Sequence, residues 1–125
     1  MPDYTAKRID DMEAGFGGGF VKCRAELGVS SFGMQVIRLP PGYGDYPEHD
    51  HTENGQEEVF VALDGSGWIE IDGERVELDP GVAVRVGPAP KRKIHSGPQG
   101  LRVLALGGAP GEVYKINPNT ELENA

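Results

Sequence analysis

Apolar residues in this chain come in short runs broken by glycine, proline and aspartate, not at helical spacing. Phe32 to Leu39 (FGMQVIRL), Val59 to Leu63 (VFVAL), Trp68 to Ile71 (WIEI), Arg75 to Leu78 (RVEL), Val82 to Val86 (VAVRV) and Leu101 to Leu106 (LRVLAL) each have strand length. Turn signals separate them. Pro40, Pro41 and Gly42 end the first run, and Asp64 with Gly65 is expected to reverse the chain after VFVAL. Asp72 and Gly73, between WIEI and RVEL, are a strong two-residue hairpin signal. Asp79 to Gly81 turns the chain into VAVRV, and Gly87 to Pro90 connects it to a further strand, KRKIH. Ser96 to Gly100 is expected to turn again before LRVLAL, which GGAPG closes. Strands at intervals of roughly 8 to 12 residues with no substantial helix between them predict an all-β fold, an antiparallel sandwich or barrel.

The ends differ from the middle. Residues 1–19 start polar and finish in GFGGG, an arm expected to dock on something, and 20–116 make up the barrel. Phe20 to Cys23 predicts a short strand, and Arg24 to Gly28 one helical turn stopped by Gly28. The tail, 117–125, is expected to be loose. In the VFVAL run, Glu58, Phe60 and Ala62 share one face and Val59, Val61 and Leu63 the other. An apolar outer row on a small barrel needs a cover, either the N-terminal arm or a second subunit in a homodimer.

Composition narrows the partners. A chain of 125 residues suits one domain, and its 19 Gly and 10 Pro sit at turns between apolar runs, which fits many short strands. A net charge of -8 argues against nucleic acid or an anionic membrane as partner. Cys23 stands alone, so no intrachain disulfide forms. No run approaches the roughly 20 apolar residues of a spanning helix, and the acidic start lacks the features of a signal peptide, so a cytoplasmic address is expected.

Candidate chemistry is concentrated from Gly44 to Gly65. His49 and His51 are alternate residues of an extended segment, so their imidazoles face one side and Asp50 the other. A short loop leads to Glu57 and Glu58, and Glu58 has the phase of Phe60. Two histidines and a carboxylate thus converge from neighbouring strands. Taken alone, the residues fit a pair of exposed loop histidines near acids and a solvated strand-start carboxylate better than a ligand set. Tyr43 and Tyr46 flank the entrance, either lining a ligand pocket or packing at its rim.

This stretch resembles the first motif of the cupin superfamily: a glycine, then His-x-His, then Glu, six residues and Gly. Gly44, His49, His51, Glu58 and Gly65 stand at those positions. Six residues separate His51 from Glu58, more than the family pattern has, and Gln56 sits nearer the usual spacing, whereas the gap to Gly65 favours Glu58. Asp79 to Gly81, VAVRV and Gly87 to Pro90 resemble the second motif, with Arg92 where a further histidine ligand is usual and His95 facing outward. The resemblance implies a jelly-roll barrel, often a homodimer. It also implies a divalent first-row metal (Fe, Mn, Ni or Zn) on His49, His51 and Glu58, with positions open for a ligand. A guanidinium cannot coordinate a metal, so Arg92 is expected to hold an anionic small-molecule ligand, with Tyr46, Phe60 and Gln56 around it. Three functions follow from this: a metal-dependent oxygenase- or isomerase-like enzyme on a small anionic metabolite, a non-catalytic ligand-binding or sensor barrel, and a metal-free structural dimer module.

Overall fold

Two long antiparallel strands organise the computed structural model, which describes residues 2–123. They are β4 (Glu57–Ile71) and β7 (Arg92–Gly108), paired from Glu57 with Gly108 to Ile71 with Arg92. The shorter strands are β1 (Ala14–Gly15), β2 (Phe20–Val21), β3 (Gly33–Leu39), β5 (Glu74–Glu77) and β6 (Ala83–Val86). The sheet order is β1-β2-β3-β7-β4-β5, with β6 on β4 and every pairing antiparallel. The all-β, antiparallel expectation holds. The one α-helix among the described residues, α1 (Cys23–Leu27), ends where Gly28 takes a left-handed conformation.

Two expected turns are bends inside long strands. At Asp64 and Gly65 the chain does not reverse: β4 runs on, with register shifts between Ala62 and Asp64 and between Gly65 and Gly67. Gly65 has φ +86°, and a Cβ there would overlap the Gly100 carbonyl, so a glycine is needed where the strands cross at the corner. Likewise β7 continues past Ser96. Ser96 pairs with Gly67 and Leu101 with Gly65, so residues 97–100 bulge outward opposite Ser66. The other turn signals act as expected. Asp72 (φ 48°) and Gly73 (φ 82°) form the tight hairpin joining β4 to β5, both with the positive φ that a type I′ turn demands.

Burial follows the predicted phase. Glu58, Phe60 and Ala62 face the lumen, where Phe60 and Ala62 join Ile37, Ile69, Ile94 and Val103 in the main core. Each large side chain buried this way stabilises the fold by about 1.5–3 kcal/mol. A second cluster lies outside the barrel wall: Met12, Val21, Cys23 and Val36 are buried, with Leu63 and Leu104 against them. The N-terminal arm thus covers part of the outer row, while Val59 and Val61 stay half-buried. The tail is not loose over its described part. Arg24 Nη2 pairs with Glu121 Oε1 at 3.0 Å, Lys22 Nζ donates to the Glu121 carbonyl, and the Glu123 amide donates to Glu13. Among the described residues no helix is long and apolar enough to cross a membrane.

Candidate metal centre

The segment before β4 has almost no regular structure, yet its backbone is fixed. His49 forms an isolated bridge with Arg92, donating its amide to the Arg92 carbonyl at 3.1 Å and accepting in return at 2.8 Å. The His51 amide donates to the Pro88 carbonyl at 2.9 Å. Both imidazoles are thereby held over the barrel mouth. Asp50 points the other way and accepts from the amide and hydroxyl of Thr52. Glu58, the second residue of β4, comes up from the lumen to meet them. Its Oε1 lies 3.0 Å from His51 Nε2 and 3.8 Å from His49 Nε2, and the two rings stand 5.0 Å apart at 88°. Donor atoms of all three residues lie within 4.8 Å of one another.

The outer hydrogen bonds of the histidines decide what these atoms can do. His51 Nδ1 faces Asn54 Oδ1 at 3.1 Å and His49 Nδ1 faces the Pro47 carbonyl at 3.2 Å. An oxygen acceptor there assigns the proton to Nδ1 in the neutral ring and leaves the lone pair on Nε2. Both Nε2 lone pairs then lie beside one carboxylate oxygen, and buried His51 Nε2 has no hydrogen-bond partner among the described residues. Lone pairs gathered in this way repel unless a cation, either a proton or a metal ion, joins them. Metal-ligating histidines carry this pattern of outer acceptors. Two nitrogens and one carboxylate oxygen suit a divalent first-row ion, so the residues present fit one.

The electrostatics describe the case in which the joining cation is a proton. Burial pushes the Glu58 carboxyl up, but the adjoining His49 and His51 imidazoles, protonated, outweigh it and hold the group at about 2. The hydrogen bond from His49 to Glu58 raises the His49 pKa, against the opposing pull of burial. Burial, and then the charge on Glu58, pushes the Tyr46 phenol up to about 12, so it stays a neutral donor.

Arg92 has a different place from the one expected. It is 1% exposed, and its Nη1 donates to Glu58 Oε1 at 2.9 Å. Its Nη2 is directed to the carbonyls of Gly87, Pro88 (3.3 Å) and Pro90 (2.8 Å). Holding a ligand carboxylate with both Nη atoms would break these bonds, so Arg92 is a positioning residue for Glu58. Gln56 leaves the site, since it lines a separate small cavity with Asn54 and Tyr114. Phe60, 2% exposed, fills the core and does not reach the cavity beside His49. His95 faces outward as expected, stacked on Trp68 at 5.0 Å with Nε2 3.0 Å from Glu70. Sequence reasoning missed Asn54, although an asparagine three residues after His51 is a signal for a local side-chain contact. Tyr46 and Tyr43 line a cavity of about 760 Å³ that opens beside His49, with Phe16, Phe20 and Arg38 across from them.

No family model matches the chain, and no curated protein matches it. Solved structures do. A cupin protein from Bacteroides fragilis superposes with a TM-score of 0.74 and 25% identity over 94% of this chain and 93% of its own. A sugar phosphate isomerase of the cupin superfamily from Silicibacter pomeroyi gives a TM-score of 0.67 at 19% identity, covering 82% and 74%. A cupin 2 conserved barrel domain protein from Salinispora arenicola gives 0.55 at 20% identity, covering 65% and 66%. The last two are similar in fold alone.

Proposed function

We propose that this member of the cupin superfamily binds a divalent first-row metal ion through His49 Nε2, His51 Nε2 and Glu58, and uses it on a small anionic metabolite held in the cavity beside His49. The observation that carries the reading is the gathering of two Nε2 atoms and a carboxylate oxygen within 4.8 Å, with each Nδ1 already committed to an oxygen acceptor. When bound, the ion would supply a Lewis acid that polarises a ligand oxygen, or a redox centre. The chain's own groups do the rest. Asn54 and the Pro47 carbonyl hold the imidazoles in the ligating tautomer, and Arg92 and its carbonyl cage keep Glu58 in place and ionised. Tyr46 offers the cavity a phenol that stays protonated throughout the neutral range.

One observation favours a second reading, a metal-free ligand-binding barrel. The Arg92 guanidinium already neutralises Glu58, so the site has a cation without a metal. Metal analysis separates the two. Protein purified without a histidine tag is expected to carry a near-stoichiometric first-row metal, which His51→Ala and Glu58→Ala each remove. Absence of metal after growth and dialysis in the presence of Fe, Mn, Ni and Zn, or full occupancy in both variants, overturns the first reading.

A further inference from the structure

The cavity beside His49 has walls that the barrel does not supply. One side is the loop GFGGGF, residues 15–20, and another is the 3-10 turn Pro118–Thr120 and its neighbours near the end of the chain. Phe16 is the unusual residue. It is 78% exposed and has φ 52°, a left-handed conformation that costs a bulky side chain about 1–2 kcal/mol. Its one ring contact, edge-on to Phe20 at 5.9 Å, offsets only part of that. An exposed and strained phenylalanine at a cavity mouth becomes favourable once a ligand covers it. Tyr43 and Tyr46 line the same cavity.

Arg38 supplies the charge. Its Nε donates to the Gly18 carbonyl at 3.0 Å, which steers the guanidinium along the cavity wall, and its two Nη groups make no hydrogen bond among the described residues. Arg92, by contrast, is buried and committed. Asp45, exposed at the rim, disfavours a second negative group on the same ligand.

We propose that this cavity binds a flat aromatic monocarboxylate, its carboxylate paired with the Nη groups of Arg38 and its ring between Phe16, Phe20, Tyr43 and Tyr46, so that its far end meets His49. The contact at the far end rests on the metal reading above, whereas the aromatic and guanidinium contacts do not. A volume of about 760 Å³, two phenylalanines and two tyrosines among its lining residues and a single free guanidinium match a ligand with one charge and a large apolar face. A sugar phosphate, dianionic, would bring a second negative charge to a cavity that already holds Asp45.

The test uses 2-naphthoate, with a sugar phosphate and inorganic phosphate as comparison probes, titrated calorimetrically into the full chain with and without metal. Metal content is measured on every sample. The expected result is saturable naphthoate binding in the metal-stripped protein, weakened about tenfold or more by Arg38→Gln and several-fold by Phe16→Ala, with metal content unchanged in both variants. Phe16 is exposed, so its variant folds even if Arg38→Gln does not. No naphthoate binding, affinity unaltered by both substitutions, or tighter binding of the sugar phosphate overturns the proposal. So does a Phe16-dependent dimer that naphthoate fails to dissociate, which would give the groove to a second copy. Naphthoate binding by a protein that takes up no metal on reconstitution leaves this inference standing and removes the metal reading; metal uptake without naphthoate binding does the reverse.

Discussion

Replacing Arg92 with methionine removes a buried cation at nearly constant volume and leaves Glu58 at the barrel mouth without its 2.9 Å partner. At an effective dielectric of about 20, that pair attracts with about 6 kcal/mol, part of which offsets the cost of burying both charges. Breaking a buried pair from one side typically costs about 3–5 kcal/mol. The carbonyls of Gly87, Pro88 and Pro90 lose their donor as well. For a domain of 125 residues the sum corresponds to a fall in Tm of roughly 10–20 °C. Urea unfolding of metal-stripped protein at pH 8 reads it as a shift of the midpoint with the slope unchanged. At pH 6 the loss is expected to be smaller than at pH 8. His49, raised by Glu58 and no longer opposed by the Arg92 charge, would then supply the missing cation.

The same variant should bind metal better. Arg92 and a metal ion approach the same carboxylate, and a guanidinium beside a divalent cation repels it. Removing it is expected to tighten Zn(II) or Mn(II) binding by about tenfold or more. Added metal should then restore stability in the variant by more than it adds to the parent protein. A loss under about 1 kcal/mol at pH 8 refutes the buried ion pair. Metal affinity equal to or weaker than that of the parent refutes competition at Glu58.

Metal affinity should rise with pH from about 5.5 to beyond the ordinary imidazole value of about 6.5, because the proton that Glu58 holds on His49 must leave before Nε2 can coordinate. Competition with a chromophoric chelator measures this, and a flat profile contradicts it. Acid stability should depend on Glu58, whose folded pKa lies below its unfolded one. Its contribution is complete above about pH 4.5 and is lost as the pH falls toward about 2, so an acid titration of Glu58→Gln should lack that limb. Gly65→Ala should cost about 3 kcal/mol or more, since strain at φ +86° adds to the overlap with Gly100. Gly73→Ala, at φ +82° with open space around it, should cost only the strain, and equal losses in thermal melts would remove the corner role of Gly65. The half-buried outer row of Val59 and Val61 is expected to pair two copies, giving about twice 13.4 kDa in sedimentation and a monomer for Val61→Glu. A monomeric parent protein refutes this.

What was legible in the sequence is what period-two alternation and turn chemistry encode locally. Glu58, Phe60 and Ala62 facing inward, the Asp72–Gly73 hairpin and the Gly28 helix stop all follow from neighbours a few residues apart. Asp64–Gly65 and Ser96–Gly100 were misleading for a physical reason. A glycine with positive φ serves a reversal and a bulge equally well, and only the partner strand decides between them. The tail had no local signal of order at all, because its anchors, Lys22 and Arg24, lie about a hundred residues away.

The two arginines show the same limit within the site. The resemblance to the second motif put Arg92 in the lumen near the histidines, where an unpaired guanidinium reads as an anion anchor. Its direction, however, is set by the carbonyls of residues 87–90, which turn it onto Glu58, and backbone acceptors leave no mark on a side-chain pattern. Arg38 lies on the outward phase of β3 and looks like an ordinary surface cation. Only the return of GFGGGF along β3, with Gly18 taking the Arg38 Nε proton and Gly19 pairing with the Arg38 amide, brings it to the cavity beside Phe16. Charge at position 92 thus holds the carboxylate of the candidate metal site, and charge at position 38 is left free for a ligand. The distinction rests on backbone oxygens contributed by other segments of the chain.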